Sequence, residues 1–205
     1  MLNALRASPV REVVVADGGS VDQTTDLAEA AGARVVAAPR GRGTQLAAGA
    51  ASASGMWLLF LHADCQPASG WPDAVAGFLK EPQAESRAGY FDFALDDPAL
   101  AARRLERIVA WRCRVLALPY GDQGLLISRA LYEAVGGFAP LPLMEDVDLV
   151  RRLGRRRLAR IGVRCVASAR RYRQDGYWRR PLRNLFCLSL YFAGMPTERI
   201  ARLYG

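Results

Sequence analysis

Histidine is almost missing: His62 is the only one in 205 residues, which excludes histidine-rich metal sites. Cysteine is scarce too. Cys65, Cys113, Cys165 and Cys187 lie far apart with no C-x-x-C pair among them. This spacing argues against a zinc site, and four reduced thiols is the simpler reading. No uninterrupted apolar run approaches the ~20 residues that cross a bilayer. The N-terminus lacks the apolar core and small-residue cleavage site of a secretory signal, so the expected location is the cytoplasm. Repeats, linkers and low-complexity segments are absent as well.

What remains is an ordinary globular composition, 51% hydrophobic and 23% charged. The length suits one domain with a substantial core. The net charge is +8, and nearly all basic residues are arginine. Arginine's planar fork suits phosphate and carboxylate. Nucleic acid, an anionic membrane surface and a nucleoside diphosphate all fit that balance, and so does an arginine-rich composition with no ligand meaning.

Short apolar runs alternate with alanine-rich helical patterns. Strands are expected at Glu12–Ala16, Arg34–Ala37 and Trp57–Leu61, with helices over Asp22–Ala31, Thr44–Ser54 and Ser69–Leu79. This order implies a parallel sheet with covered faces and ligands beyond the carboxyl ends of its strands. Gly89–Leu95 alternates like a half-buried strand, and Gly124–Ser128 and Arg160–Ala167 read as further strands. Helices are expected over Pro98–Leu118, Glu145–Leu153 and Arg180–Tyr191. Met1–Pro9 resembles the end of a helix. Asn184–Phe192 is apolar on most sides, which suits core packing, an interface or a membrane surface.

Four places carry chemistry-bearing residues. Asp17-Gly18-Gly19-Ser20-Val21-Asp22 follows a strand, where glycines permit a tight turn and close ligand approach. Asp17 could accept hydrogen bonds from a base or ribose; a turn with Ser20 or Asp22 capping the helix explains the same residues. Gly41-Arg42-Gly43-Thr44-Gln45 is neither a P-loop nor a dinucleotide fingerprint. Its helix N-terminus, with Arg40 and Arg42, suits phosphate, and a flexible turn is the alternative. His62-Ala63-Asp64 ends the most apolar strand, and Asp64 suits Mg²⁺ or Mn²⁺ through oxygen ligation, or a turn. Glu145-Asp146 opens a helix, where a carboxylate can act as general base or simply complement the helix dipole. The arginines of Arg151–Arg160 and Arg170–Arg173 form a solvated face or meet an anion. Aromatics interleave with them, but no nucleic-acid-binding module is present.

Taken in order, these motifs resemble family 2 glycosyltransferases with the GT-A fold, an α/β class with a Rossmann-like, mostly parallel sheet flanked by helices. His-Ala-Asp, Gly-Asp-Gln-Gly (Gly121–Gly124) and Glu-Asp-Val-Asp-Leu look like a compact bacterial branch of it. The resemblance runs from about Arg11 to Tyr204. It implies a single domain over 1–205, with a nucleotide-binding half over about 1–85 and an acceptor half over about 86–205. It further implies that Asp17, Gly18, Gly19, Arg42 and Asp64 contact the nucleotide, that Asp64 holds Mg²⁺ or Mn²⁺, and that Asp146 is the catalytic base. Asp122, Gln123, Glu145, Arg170 and Arg171 would meet acceptor or diphosphate. The implied partners are a nucleotide-sugar donor and a lipid or small-molecule acceptor, not nucleic acid. Peripheral contact with the inner membrane face and homo-oligomerisation stay open. Two departures stand out: His62 replaces the first aspartate of the family's Asp-x-Asp, and the family's first strand with its Pro-x-x-Asn-Glu loop has no counterpart here. The expected reaction is inverting sugar transfer. A silent nucleotide-binding scaffold and a nucleotidyltransferase are the competing readings.

Overall fold

The computed structural model describes residues 2, 5, 8 and 10–204. The expected helix end over residues 1–9 lies largely outside them. Strand β1 (Val14–Asp17) runs parallel to β2 (Arg34–Ala37), with Val15 opposite Val35 and Asp17 opposite Ala37. Helix α1 (Thr24–Ala30) joins them. Helix α2 (Arg42–Ser52) follows and lies against β1. Its small side chains bring Leu46, Ala47 and Ala50 onto Leu58, Phe60 and Leu149.

The second sheet has five strands. β3 (Trp57–Phe60), β6 (Leu125–Ser128), β5 (Ala88–Leu95), β7 (Leu158–Ala167) and β4 (Cys65–Pro67) lie side by side in that order. β5 and β7 are parallel; β3–β6, β5–β6 and β4–β7 are antiparallel. The sheets are thus more mixed than strand–helix alternation implies, because β3 pairs with a strand from the second half of the chain.

β5 departs from expectation. Its alternating pattern reads as half-buried, yet only Asp92 among its eight residues escapes burial. The reason is its central place: it lies between two strands, with α4 (Leu100–Leu116) packed on it. Ala102, Leu105, Val109 and Cys113 recur at helical spacing and form the buried face of α4. Fully buried Phe91 and Ile127 each contribute about 1.5–3 kcal/mol by leaving water.

Helix α3 (Trp71–Leu79) covers β7. α5 (Arg129–Ala134), α6 (Glu145–Leu153), α7 (Arg170–Asp175), α8 (Arg179–Phe192) and α9 (Thr197–Tyr204) complete the chain. β4, α5, α7 and α9 were not expected from sequence. β4 is three residues long and ends in proline, so only its partner β7 makes it a strand. α5 is short but capped, the Ser128 hydroxyl accepting from the Leu131 N–H at 3.1 Å. Among the described residues, no helix is long and apolar enough to cross a membrane.

Candidate active site

The two glycine-rich turns meet through one side chain. Gln45, on the first turn of α2, donates from Nε2 to the Ala16 carbonyl at 3.0 Å, and its Oε1 accepts from the Gly41 N–H at 3.4 Å. The same carboxamide lies against Gly18, where an added Cβ would come within 3.0 Å of it. Gly43 sits on the backbone of the 139–141 segment, its N–H donating to the Leu141 carbonyl at 3.1 Å. An added Cβ there would come 2.9 Å from the Leu141 nitrogen and oxygen and collide with the Ala139 carbonyl. Gly43 is therefore required by close approach to backbone, whereas at Gly18 the movable end of the Gln45 side chain can yield. Gln45 belongs to the Gly41–Gln45 motif, yet nothing in its sequence spacing marks it as the clamp.

Asp17 lies at the end of β1 and is engaged with its own loop. Its Oδ2 accepts from the Gly19 and Ser20 N–H groups at 2.9 Å each, and its Oδ1 from the Ser20 hydroxyl at 2.5 Å. Ser20, through its hydroxyl and then its N–H, holds the Asp17 carboxyl below the ordinary carboxylate range. Gly19, at φ +89°, makes the turn. Asp22, just before the N-cap Gln23 of α1, accepts from the Thr24 N–H at 3.1 Å.

The second group of residues gathers where β3, the turn before β6, and α6 meet. The Gly121 N–H donates to Asp146 Oδ2 at 2.7 Å, and Asp146 Oδ1 accepts from the Val147 N–H at 2.7 Å. The His62 ring lies on Gly121, with Cε1 2.7 Å from where a Cβ would stand. Asp146 and His62 line one narrow cleft with Phe60, Tyr120 and Phe138. Cys65 Sγ donates to the Asp122 carbonyl at 3.4 Å, which ties the Asp64 turn to the 121–124 turn.

Glu145 is 1% exposed, and neither of its carboxyl oxygens has a hydrogen-bond partner. Burial first, and then the neighbouring Asp146 charge, push its carboxyl up to about 8, with Arg42 partly offsetting them. The Arg42 charge thereby couples the second glycine-rich turn to α6. Met144, just before, holds φ +67°, an unusual state for a residue with a side chain. It turns the chain so that Glu145 enters the core while Asp146 faces the cleft.

Two expected contacts are corrected by burial, and a third residue, Asp122, is half-buried. Gln123 is 2% exposed and faces the core, not an acceptor. Its Oε1 accepts from the Tyr120 N–H at 3.2 Å and from Arg112 at 3.1 Å, while its Nε2 donates to the Phe91 carbonyl at 2.9 Å. Glu145 is likewise shut away from solvent and cannot touch an acceptor directly. Asp122 Oδ1 is buried without a partner, and burial, relieved in part by Arg112 and His62, raises its carboxyl. Asp122 and Gln123 lie on the tight 121–123 turn and Glu145 on the first turn of α6, and which way each side chain points is not revealed by a linear motif.

Arg170 and Arg171 are exposed on the first turn of α7. That helix starts beside Asp64, because the Ser168 N–H donates to the Asp64 carbonyl at 3.0 Å. The Asp64 carboxylate itself is exposed, with only a long 3.6 Å contact from the Cys65 thiol. It lines a cavity of about 440 Å³ together with Gln66, Ser69, Asp96 and Ser168. Among the described residues no group of three or more His, Cys, Asp or Glu could hold a metal ion. All four cysteines are free and buried.

The sequence model of glycosyl transferase family 2 matches residues 1–139. Among solved structures, a mycobacterial protein is 25% identical, with a TM-score of 0.57 over 81% of this chain and 59% of its own. Glucosyl-3-phosphoglycerate synthase from Mycobacterium tuberculosis, solved with Mn²⁺, UDP and glucosyl-3-phosphoglycerate, is 25% identical, with a TM-score of 0.58 over 95% of this chain and 73% of its own. In its complex with phosphoglyceric acid the match has a TM-score of 0.52 over 79% of this chain and 62% of that one, again at 25% identity. In the first and third of these matches the chain spans about three fifths of the neighbour's length. No curated relative matches.

Proposed function

We propose, because the chain belongs to glycosyl transferase family 2, that it moves a sugar from a nucleoside-diphosphate donor to an acceptor hydroxyl with inversion. The observation that carries this reading is the meeting of Asp146, His62 and the 121–124 turn in one cleft, with Asp64 tied to the same turn. Asp146 is the base. Its Oδ2 already accepts the Gly121 N–H, which aims the carboxylate, and one lone pair stays open for the acceptor's proton. As that proton moves to Asp146, the acceptor oxygen bonds to the anomeric carbon. The bond from that carbon to the diphosphate oxygen breaks, and its electron pair leaves with the nucleoside diphosphate.

Asp17 and the Gly18–Gly19 turn take the nucleoside end, and Arg42, Arg170 and Arg171 face the diphosphate. A synthase structure that is 26% identical contains Mn²⁺ together with UDP-glucose. A hard cation fits Asp64, whose exposed carboxylate has no ion pair among the described residues. Asp64 would supply one oxygen ligand, with substrate phosphates and water completing the shell. When bound, such a cation offsets the negative charge on the departing diphosphate.

The test is a thermal-shift panel of UDP, GDP, dTDP and CDP with and without Mn²⁺. A ligand held only by the folded chain raises its midpoint by mass action. One nucleotide should stand out and should need Mn²⁺, with the Mn²⁺ dependence lost in Asp64→Ala. Equal response to all four, or none to any, would overturn the reading.

A further inference from the structure

Positive charge is segregated along the chain. Residues 145–205 hold fifteen arginines against five acidic residues, whereas the whole chain carries a net +8, so the first 144 residues are slightly acidic. The same basic stretch contains an exposed apolar helix face. Trp178, Leu182, Leu185, Phe186 and Phe192 are between 51% and 66% exposed. On a helix these positions fall in one stripe covering roughly a third of the circumference.

The stripe is not a by-product of core packing. Cys187 and Leu188, on the opposite side of α8, are buried against Val147, Val150 and Ile200, so the helix is already anchored. No acidic residue occurs from Gly176 to Thr197. Arg179 and Arg183 flank one edge of the stripe, and the guanidinium of Arg151 stands 4.9 Å over the Phe192 ring at its far end. Asp175, just before the helix, is matched by Arg180 and Arg183 at 3.2 Å each.

We propose that the outer face of α8 docks on an anionic phospholipid surface, with Trp178, Leu182, Leu185 and Phe186 entering the headgroup–acyl boundary and the surrounding arginines meeting lipid phosphates. A flat stripe of tryptophan, leucine and phenylalanine edged by arginine is the chemistry of a helix that lies in the interface plane. A second copy on the same face would set arginines against arginines, which charge repulsion opposes. Docking is independent of the transferase reading, since it needs neither donor nor acceptor. It also places α7, which leads into Trp178 and carries Arg170 and Arg171, next to the bilayer.

The experiment is co-sedimentation of the full chain with vesicles of phosphatidylcholine alone and of phosphatidylcholine with about one third phosphatidylglycerol. Binding to the anionic vesicles, weakened by salt and nearly absent on the neutral ones, is expected. Leu185→Glu with Phe186→Glu should lower the partition at least about tenfold, and Arg179→Glu alone should lower it several-fold and reduce its salt dependence. All three residues are exposed, and an unchanged thermal midpoint shows that each variant folds. Lack of sedimentation with anionic vesicles, equal sedimentation with neutral ones, or indifference to the paired substitution would overturn the proposal. So would a dimer in solution that the paired substitution dissolves, because the stripe would then be covered by protein.

Discussion

Glu145 offers the sharpest physical test of the site's electrostatics. In the folded chain it is 1% exposed with two unpartnered oxygens, and its carboxyl is held at about 8 against an ordinary value of 4.5. The folded state therefore keeps the proton over a pH range in which the unfolded chain has lost it. Stability falls wherever the folded state binds more protons, so it declines as pH rises from about 4.5 to about 8 and levels off above. At about 1.4 kcal/mol for each pH unit, the whole window amounts to roughly 5 kcal/mol. Glu145→Gln keeps the shape and removes the titration. Urea unfolding of both proteins at pH 5, 6, 7 and 8 isolates the effect, because every other group cancels in the difference. The variant should gain on the wild type by about 3–4 kcal/mol between pH 5 and 8. Parallel stability curves would refute the reasoning, since they would mean that Glu145 is hydrated or paired in solution.

Asp146→Asn should leave nucleotide affinity within about twofold while lowering transfer by about 10²–10⁴, the usual share of a general base; release of nucleoside diphosphate from a donor–acceptor mixture reads it, and unchanged turnover removes Asp146 from the role. Gln123→Leu orphans the Tyr120 N–H and the Phe91 carbonyl, each a loss of about 1–3 kcal/mol. A drop under 1 kcal/mol in urea unfolding would contradict the bonding described. Gly43→Ala should destabilise by about 1–3 kcal/mol, because the new methyl meets backbone at Ala139 and Leu141 rather than a movable side chain. Gly77→Ala is the internal control: it lies inside α3 with open space around it, and should stabilise by about 0.5–1 kcal/mol in the same assay.

Much of this protein was legible in its residues. Runs such as Val13–Ala16 and Trp57–Leu61 declare strands because buried strands need unbroken β-branched and apolar side chains. The Gly18–Gly19 turn, the Gly41–Gln45 segment, Asp64 and the Glu145-Asp146 pair stood out because they break apolar runs at strand or helix ends. The family followed from their order. The charge and the apolar segment Asn184–Phe192 were equally plain as composition.

Tertiary structure alone decided what each of these residues faces. Adjacent Glu145 and Asp146 look interchangeable in sequence, yet Met144's left-handed backbone sends one into the core and the other to the cleft. Gln123 reads as a site residue and is a strut, while Gln45 reads only as the last residue of a glycine-rich motif and clamps two loops. β4 exists only because β7 runs beside it. Likewise, Leu185 and Phe186 are as apolar as Cys187 and Leu188, and only the packing of α6 and α9 on one side of α8 determines which pair is buried. Local patterning specifies which elements form, because propensity and periodicity act over a few residues. The direction a side chain points relative to distant segments depends on contacts between parts of the chain far apart in sequence, and that information is present only once the chain has closed on itself.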